Sequence, residues 1–314
     1  MTKRVAIIGS GMAGLAAARV LRDAGLTCVI FDKSRGLGGR MATRRTGDLT
    51  FDHGAQYFTA RGPRFTALVE EWRADGVAAG WFDDAIVGAP GMTAPAHAMA
   101  RGFETVMGSE VKSLNREASG WRLHAGDDSH GGFDAVIVAI PAPQAAPLLE
   151  TGAVSFPELS SVAYAPCLAL MLAFDKPIAF EGESLRFESG PIAWIAHNSS
   201  KPGRSSDRQT FVVHAGPDWS LAHLDETPEA ILAKLSPLAL ELIGAKTAPA
   251  FATAHRWRYA LVQKAVGAPC LWDAQAGLGA CGDYCLGPRV EAAFDSGEAM
   301  ALRLLESWGQ HVAA

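Results

Sequence analysis

The chain begins with a pattern of apolar residues and glycines that predicts a strand, a tight turn and a helix. Residues 3–8 end in β-branched side chains, residues 9–14 hold three glycines, and residues 15–24 are rich in alanine. A second apolar run, 27–31, ends on Asp32. A strand, a helix and a second strand within about 30 residues match the size of a βαβ unit.

The rest of the chain mixes short apolar runs with polar, glycine-rich connections. Residues 134–140 form a continuous apolar run that suits a buried strand of a parallel sheet, whereas residues 61–91, rich in aromatic and charged side chains, look like an insertion. The other predicted elements are a helix at 95–102, antiparallel strands at 105–114 and 120–123, a polar loop at 126–132, strands at 168–174, 192–196, 210–214 and 252–259, a helix at 228–243, a glycine-rich strand up to 282, and a helix at 290–308.

These elements predict an α/β protein with two lobes, since 314 residues exceed what a single core commonly holds. We expect a Rossmann-like dinucleotide-binding domain that is discontinuous and comprises residues 1–60, 95–145 and 268–314. The second domain, a mixed sheet with helices that holds the substrate, is expected from residues 61–94 and 146–267. The active site should lie in the cleft between the lobes.

Composition narrows the class of protein further. Hydrophobic residues make up 49% of the chain and charged residues 19%, which is typical of a folded protein with a large core. A net charge of −5 argues against a general nucleic-acid binder, and no apolar stretch reaches the roughly 18 residues of a membrane span. Five cysteines form no disulfide framework, and the Cys281–Cys285 pair lacks further zinc ligands, so we expect no metal site. The prediction is a soluble protein of the reducing cytoplasm.

The first glycine loop has the residues that a dinucleotide pyrophosphate requires. Gly9 permits the turn, Gly11 lets the backbone approach the phosphates, and Gly14 lets the helix pack closely on the sheet. The amide groups of Met12 and Ala13 open the helix, where free N–H groups and a partial positive charge favour an anion. Asp32, followed by Lys33, is placed to accept hydrogen bonds from a ribose, and it would repel the extra phosphate of NADP. The alternative is a glycine turn in an unrelated α/β protein.

A second loop of glycines follows Asp32 directly, in the segment Lys33-Ser34-Arg35-Gly36-Leu37-Gly38-Gly39-Arg40. It resembles the second glycine motif of the FAD-dependent amine oxidase superfamily, in which a Gly-Gly-Arg step lies against the FAD pyrophosphate. Glycines expose amide groups, and Arg40 can pair with phosphate oxygens through two N–H groups. The alternative for this segment is a flexible surface loop.

Two later segments match the same superfamily in the expected order. Residues 134–141 resemble the strand and proline where that fold crosses to the substrate lobe. Gly282-Asp283, followed by a helix from Val290, resembles the C-terminal flavin motif, in which the Asp meets the ribityl or pyrophosphate region and the helix N-terminus faces the flavin pyrimidine carbonyls. A positive helix end there would favour the anionic reduced flavin. A Gly-Asp turn before an ordinary helix is the alternative.

Two further motifs narrow the resemblance to one family. Gly39-Arg40-Met41-Ala42-Thr43 and Asp52-His53-Gly54-Ala55-Gln56-Tyr57-Phe58 resemble the GGRM-x-T and D-x-GAQY segments of the renalase family. This resemblance implies non-covalent FAD, with Gln56 and Tyr57 near the isoalloxazine ring, where their amide and phenol would hydrogen-bond its heteroatoms. The cofactor-binding residues expected from the motifs are Gly9, Gly11, Met12, Ala13, Gly14, Asp32, Lys33, Gly39, Arg40, Gln56, Tyr57, Val111, Gly282, Asp283 and Val290.

No residue stands out as a certain catalytic group. On strand alternation His255, Trp257 and Tyr259 share one face, and with Tyr57 they are our candidates for the substrate side of the flavin. Core packing explains that face equally well. His53 lies between Asp52 and Gly54, where a histidine is more often structural than catalytic.

The resemblance implies a function in metabolite repair. Bacterial renalases oxidise 2- and 6-dihydro isomers of NAD(P)H to NAD(P)+, with O2 reduced to hydrogen peroxide, and we take this as the leading hypothesis. A flavin-dependent amine oxidase is one alternative, although the lysine that such an enzyme often keeps near flavin N5 has only Lys264 as a weak candidate. A flavin-binding protein without turnover is the other.

Overall fold

The computed structural model describes residues 2–205 and 207–310, in which strands and helices are interspersed along the chain. The strands are β1 (Arg4–Ile8), β2 (Thr27–Asp32), β3 (Thr43–Thr46), β4 (Leu49–Asp52), β5 (Ala78–Gly80), β6 (Ile86–Gly88), β7 (Glu104–Met107), β8 (Ser113–Glu117), β9 (Gly120–Ala125), β10 (Asp128–Phe133), β11 (Ala135–Val138), β12 (Ala163–Phe174), β13 (Ser184–Arg186), β14 (Ile192–His197), β15 (Gln209–Ala215), β16 (Phe251–Lys264), β17 (Leu271–Asp273) and β18 (Leu278–Ala280).

The α-helices flank these strands. They are α1 (Met12–Asp23), α2 (Pro63–Ala74), α3 (Ala94–Met99), α4 (Ala142–Thr151), α5 (Pro217–Ala222), α6 (Pro228–Leu242), α7 (Asp283–Leu286) and α8 (Val290–Ser307). Within the described residues no helix combines the length and the apolar character that crossing a membrane demands.

A six-stranded sheet with the order β17-β18-β11-β1-β2-β7 carries the predicted βαβ unit at its centre. β11, β1, β2 and β7 run parallel to their neighbours, and only β17 pairs antiparallel with β18. The side chains of β11 are fully buried, as a continuous apolar run in a parallel sheet predicts. The Rossmann-like arrangement predicted from the sequence is therefore confirmed.

The segment after β7 differs from the prediction in two ways. Residues 105–114 do not form one antiparallel strand, because β7 joins the parallel sheet beside β2 and the chain then turns before β8 begins. Residues 126–132, expected as a polar loop, instead supply most of β10, which completes an antiparallel β8-β9-β10 sheet. Glycines at 126, 131 and 132 suggested a loop, but the backbone pairing with β9 decides the structure here.

The second half of the chain forms an antiparallel sheet with the order β13-β14-β15-β12-β16. Leu168, Leu170 and Leu172 on one face of β12 pack with Phe211 of β15 and Leu235 of α6 in a core of their own. The opposite face of the same strand carries Met171 and Ala173, which pack against β4. The second sheet therefore lies directly over the segment that contains Asp52 and the residues after it.

The expected boundary at residue 60 does not coincide with a break in the core. Phe65 and Trp72 of α2 share one apolar cluster with α1 and α8, and Phe65 lies 5.1 Å from Phe294, measured between ring centroids. Helix α2, within the 61–94 segment that we expect in the second domain, thus packs on the dinucleotide-binding lobe, while Phe82 of the same segment packs against Trp194. The domain boundaries stay predictions, and residues 1 and 311–314 of the first lobe lie outside the described residues.

The C-terminal helix closes the dinucleotide-binding lobe. A Cβ atom at Gly297 of α8 would collide with the carbonyl of Ala13 in α1, so only glycine allows the two helices to approach this closely. At the start of α8, the buried Glu291 carboxylate accepts hydrogen bonds from the backbone N–H groups of Arg61 and Gly62, at 2.9 and 2.6 Å. Glu291 therefore fixes the backbone that leads into α2.

Candidate functional site: the two glycine loops and the aromatic cleft

The two glycine loops of the sequence meet in space and form one cradle. Gly9 adopts φ +113°, and a Cβ on Gly9 or Gly14 would collide with neighbouring backbone, so both are required for the turn. A Cβ on Gly11, in contrast, would meet nothing within 4 Å. From the second loop, Gly38 donates its N–H to the carbonyl of Ser10 at 3.0 Å, and Gly39 lies next to Gly11. The open space at Gly11 is what a close-lying pyrophosphate needs.

Donors and an acceptor surround this open space. Among the described residues, the N–H groups of Met12 and Ala13 at the start of α1 have no acceptor, which leaves them available to an anion. Asp32 holds the turn by accepting from the N–H and hydroxyl of Ser10 at 2.7 and 2.6 Å, and from the N–H of Ser34 at 2.8 Å. The carboxylate of Asp32 is half-buried, at the end of β2 where a ribose is expected.

Two other predicted cofactor residues border the same edge of the sheet. Lys33 is exposed immediately after β2. Val111 is buried in the core behind β2, in the turn between β7 and β8. The backbone of Ser109, in the same turn, donates to the carbonyl of Asp32 at 2.9 Å. This turn therefore lies beside the ribose end of the cradle.

Arg40 and Asp283, predicted separately as cofactor residues, form an ion pair with each other. Nη1 and Nη2 of Arg40 donate to Oδ2 and Oδ1 of Asp283 at 2.8 and 2.6 Å. Burial lowers the pKa of Arg40, but the Asp283 carboxylate raises it by more, so the guanidinium remains charged. The pair joins the second glycine loop to α7 and α8, which begin at Asp283 and Val290 after the extended backbone of Gly282.

The Gly54–Tyr57 segment lies directly on the second glycine loop. The carbonyl of Arg40 accepts from the N–H of Ala55 at 2.8 Å, and a Cβ on Gly54 would collide with that carbonyl. Only glycine at position 54 lets the backbone of this segment approach the backbone of Arg40 so closely. The two motifs that carried the family resemblance are therefore in contact.

The side-chain amide of Gln56 is fully used inside the protein. Its Nε2 donates to the carbonyls of Asp52 and Gly54 at 2.5 and 3.0 Å, and its Oε1 accepts from Nζ of Lys201 at 3.1 Å. We had expected this amide to hydrogen-bond the flavin ring. That expectation stays a prediction, and in this structure the amide binds the backbone of its own segment.

A buried ionic cluster lies beneath Gln56. Oδ2 of Asp52 accepts from Lys201 at 3.3 Å and from Arg204, while Oδ1 accepts from the Thr43 hydroxyl and the Met92 N–H at 2.7 and 2.9 Å. Burial raises the pKa of Asp52, but the two cations and the N–H outweigh it and bring the pKa to about 2. Burial lowers the pKa of Lys201 to about 8.

Tyr57 lies in a group of aromatic rings at the edge of the second sheet. Its ring centroid is 5.8 Å from Phe82 and 5.9 Å from Trp194, and its hydroxyl accepts from Arg186 at 3.0 Å. The Arg186 guanidinium also lies 5.1 Å above the Trp194 ring. Tyr57 therefore contacts Arg186 and Trp194 of the second lobe, although residue 57 is expected to belong to the first lobe.

His53, His255 and Trp257 form a second aromatic group. Ring centroids are 4.6 Å apart for His53 and His255, 5.2 Å for His53 and Trp257, and 4.6 Å for His255 and Trp257. Nε1 of Trp257 donates to the carbonyl of His53 at 2.9 Å, which ties β16 to the Gly54 segment. Burial lowers the pKa of His53 to about 4 and that of His255 as well, so both rings are neutral at neutral pH.

The predicted common face of β16 is interrupted. The pairing of β12 with β16 shifts register between Trp257 and Leu261, and Tyr259 lies within the shift. Its ring packs against Tyr164 at 5.6 Å instead of joining His255 and Trp257, and its carbonyl accepts from Arg40 at 3.4 Å. Strand alternation cannot reveal such an irregularity. Lys264, the weak lysine candidate, is exposed at the end of the same strand.

Sequence reasoning missed Lys201, Arg204 and the role of Asp52. Nothing in the local sequence marks Lys201 as buried. A basic residue after a turn usually faces water. The available signal was Asp52 itself, a carboxylate within an apolar strand that has to find a cation once it is buried.

These features define a class of protein: an α/β flavoprotein in which a βαβ unit, a second glycine-arginine loop and a C-terminal Asp-helix step converge on one dinucleotide. Residues 7–72 match the NAD(P)-binding Rossmann-like domain, and residues 72–301 match the family described as flavin containing amine oxidoreductase. The chain belongs to this family of flavin-dependent oxidoreductases, and its cofactor is FAD.

Similar proteins agree with this assignment. Protoporphyrinogen oxidase 2 of Arabidopsis thaliana, chloroplastic/mitochondrial, is 35% identical over 69 residues, which are 22% of this chain and only 14% of that relative. A protein from Exiguobacterium sp. 255-15, provisionally assigned as a protoporphyrinogen oxidase, has a TM-score of 0.79 at 14% identity and covers 99% of this chain and 100% of its own. Cyclohexylamine oxidase from Brevibacterium oxydans IH-35A has a TM-score of 0.66 at 12% identity, with 99% and 100% covered. At such identities the two structures show the fold alone.

Proposed function

We propose that this chain is an FAD-dependent oxidase that converts 2- and 6-dihydro isomers of NAD(P)H to NAD(P)+. The observation that carries the proposal is the uncharged aromatic group of His53, His255 and Trp257, whose rings pack together and whose imidazoles burial keeps neutral through a lowered pKa. An ammonium substrate has to lose a proton before it gives up hydride, and an imidazole with a pKa near 4 is a poor base for that step. A dihydropyridine carries its electron pair already and needs no base.

The residues of this chain hold the cofactor in the proposed site. The N–H groups of Met12 and Ala13 and the space at Gly11 receive the pyrophosphate, and Asp32 receives the ribose. Arg40 places its positive charge at the pyrophosphate while its fork remains on Asp283. When bound, FAD accepts hydride from the substrate and passes both electrons to O2, so that dihydronicotinamide, O2 and one proton give NAD(P)+ and hydrogen peroxide.

The substrate side is assigned to the two aromatic groups. Tyr57, with Phe82 and Trp194, lines the cleft from one end, and His255 with Trp257 lines it from β16. Flat rings suit a planar dihydropyridine, and closely packed rings exclude water from the hydride path. The finer family assignment, to renalases, rests on the Gly39–Thr43 and Asp52–Phe58 motifs.

Anaerobic flavin reduction tests the proposal. The purified holoenzyme is mixed separately with 2-dihydroNAD, 6-dihydroNAD, ordinary β-NADH, and a panel of putrescine, cyclohexylamine and protoporphyrinogen. Rapid bleaching of the flavin by the dihydro isomers alone, followed by one hydrogen peroxide per substrate after O2 is admitted, supports the proposal. Bleaching by an amine or by protoporphyrinogen, with none by the isomers, overturns it.

A further inference from the structure

Lys201 is a buried amine that the proposed reaction does not use. Its side chain is 0% exposed, in a turn that follows β14 in the second lobe. Nζ contacts Oδ2 of Asp52 at 3.3 Å and Oε1 of Gln56 at 3.1 Å, and it lies 5.0 Å above the Trp81 ring. A lysine is almost never fully buried unless its charge is paired, so these contacts require an explanation.

The contact between Lys201 and Gln56 bears on the orientation of the Gln56 side-chain amide. Nε2 of Gln56 is a donor only, and it faces the carbonyls of Asp52 and Gly54 at 2.5 and 3.0 Å. If the amide rotated by 180°, its oxygen would face those two carbonyls and its NH2 group would face the Lys201 ammonium. The two carbonyls and the ammonium therefore favour the same orientation, which His214 Nε2 also contacts at 3.2 Å, and that orientation ties the amide to Gly54.

Asp52 does not need Lys201 for neutralisation. Arg204 donates to Oδ2 of Asp52 through both Nε and Nη2, with its side chain 1% exposed, and Thr43 and Met92 satisfy Oδ1. One cation is enough to balance one buried carboxylate. The second cation, Lys201, is the one that reaches Gln56.

We propose that Lys201 is a positioning residue of the flavin site that acts through Gln56. By holding the amide, it fixes the Gly54–Tyr57 segment against the carbonyl of Arg40 and links the second lobe to the second glycine loop. The proposal rests on FAD lying beside this segment, as the family motifs imply. It does not depend on which substrate the enzyme oxidises, because no readout below uses a substrate.

The test compares three variants of the holoenzyme. Lys201→Met removes the ammonium donor but keeps an unbranched side chain of similar length. Gln56→Leu removes the acceptor, and the double variant removes both groups. Lys176→Met, at an exposed position after β12 in the second lobe, is the matched control. For each variant, the visible absorption spectrum of bound flavin, the FAD dissociation constant and the melting temperature of the FAD-free protein are measured.

Lys201→Met is expected to shift the flavin spectrum and to raise the FAD dissociation constant about tenfold, the size of one charged hydrogen bond. Lys176→Met should leave both unchanged. Since Lys201 acts through Gln56, the double variant should equal Gln56→Leu rather than show the sum of the two effects.

Three results overturn the proposal: an unchanged spectrum and dissociation constant in Lys201→Met, additive effects in the double variant, or a change confined to the melting temperature. If Lys201→Met does not fold, Gln56→Leu decides alone, since it leaves the Lys201–Asp52 pair intact. An unperturbed flavin in Gln56→Leu then overturns the role of this contact.

Discussion

Arg40 and Asp283, 243 positions apart in the chain, share two hydrogen bonds of 2.8 and 2.6 Å. This ion pair connects the second glycine loop to the C-terminal flavin motif. The two N–H groups of the Arg40 guanidinium can bind either a carboxylate or a phosphate, and here they bind the carboxylate of Asp283. Arg40 can therefore contribute to FAD binding in two ways, through its charge and through the position of α7.

Replacing either partner of this pair should release FAD. In Arg40→Ala, a carboxylate that is 8% exposed loses its partner, which costs about 3 kcal/mol of unfolding free energy and displaces the C-terminal motif. In Arg40→Met/Asp283→Leu, stability should largely return while FAD binding does not. The flavin-to-protein absorbance ratio and chemical denaturation measure the two effects. Arg45→Ala, at an exposed position of β3, is the control, and full flavin content in Arg40→Ala would contradict the prediction.

Alanine substitutions at Gly11 and Gly14 should separate cofactor binding from folding. At Gly11 a methyl group meets no protein atom within 4 Å, so Gly11→Ala should fold normally and lose FAD affinity by tenfold or more, because the methyl occupies the space of the pyrophosphate. At Gly14 the methyl would collide with the Gly9 carbonyl, so Gly14→Ala should lower the melting temperature even without FAD. Titration of the FAD-free proteins with FAD, and their thermal melts, check both. Equal melting temperatures for the two variants would refute this reasoning.

Acid should destabilise the protein through its buried histidines. His53 and His214 both have a pKa of about 4 in the folded protein against an ordinary value of 6.5, because burial disfavours the charged ring. Between these pH values the unfolded chain binds protons that the folded chain does not, so the unfolding free energy falls by up to ~1.4 kcal/mol per pH unit for each histidine as the pH drops from 6.5 to 4. Above pH 6.5 the two histidines contribute no slope.

His214→Asn isolates one of these contributions. Denaturant titrations from pH 7 to pH 4 should give a shallower loss of stability in the variant than in the natural protein, since one titrating ring is gone. Parallel curves for His214→Asn and the natural protein would argue against a neutral buried imidazole at 214.

Glu291 should stabilise α2 from a distance of more than 200 residues. Glu291→Ala leaves the N–H groups of Arg61 and Gly62 without their acceptor, and we expect a loss of about 1–3 kcal/mol of unfolding free energy. Glu306→Ala removes an exposed surface pair on the same helix and should cost less than about 1 kcal/mol. Urea denaturation measures both losses of unfolding free energy. A loss in Glu291→Ala no larger than that in Glu306→Ala would rule out this stabilising role of Glu291.

Local sequence predicted the features that depend on neighbouring residues. The β1-turn-α1-β2 unit, Asp32 at its end and the burial of β11 follow from glycine spacing and apolar runs, and all were found. Contacts between residues far apart in the sequence could not be predicted from local sequence patterns. The strand pairing of β10, the register shift at Tyr259 and the contact between Lys201 and Gln56 are set by partners far away in sequence, and no local pattern marks them.

The close approach of Gly297 to Ala13 has a consequence for the order of events during synthesis. The α1 helix that receives the pyrophosphate leaves the ribosome first, whereas the helix packed against it, the Asp283 partner of Arg40 and the outer strands β17 and β18 leave last. A nascent chain that ends before about residue 297 therefore has both glycine loops but lacks the surface against which they are held. FAD capture becomes a late step, and flavin retention reports that both ends of the chain have come together.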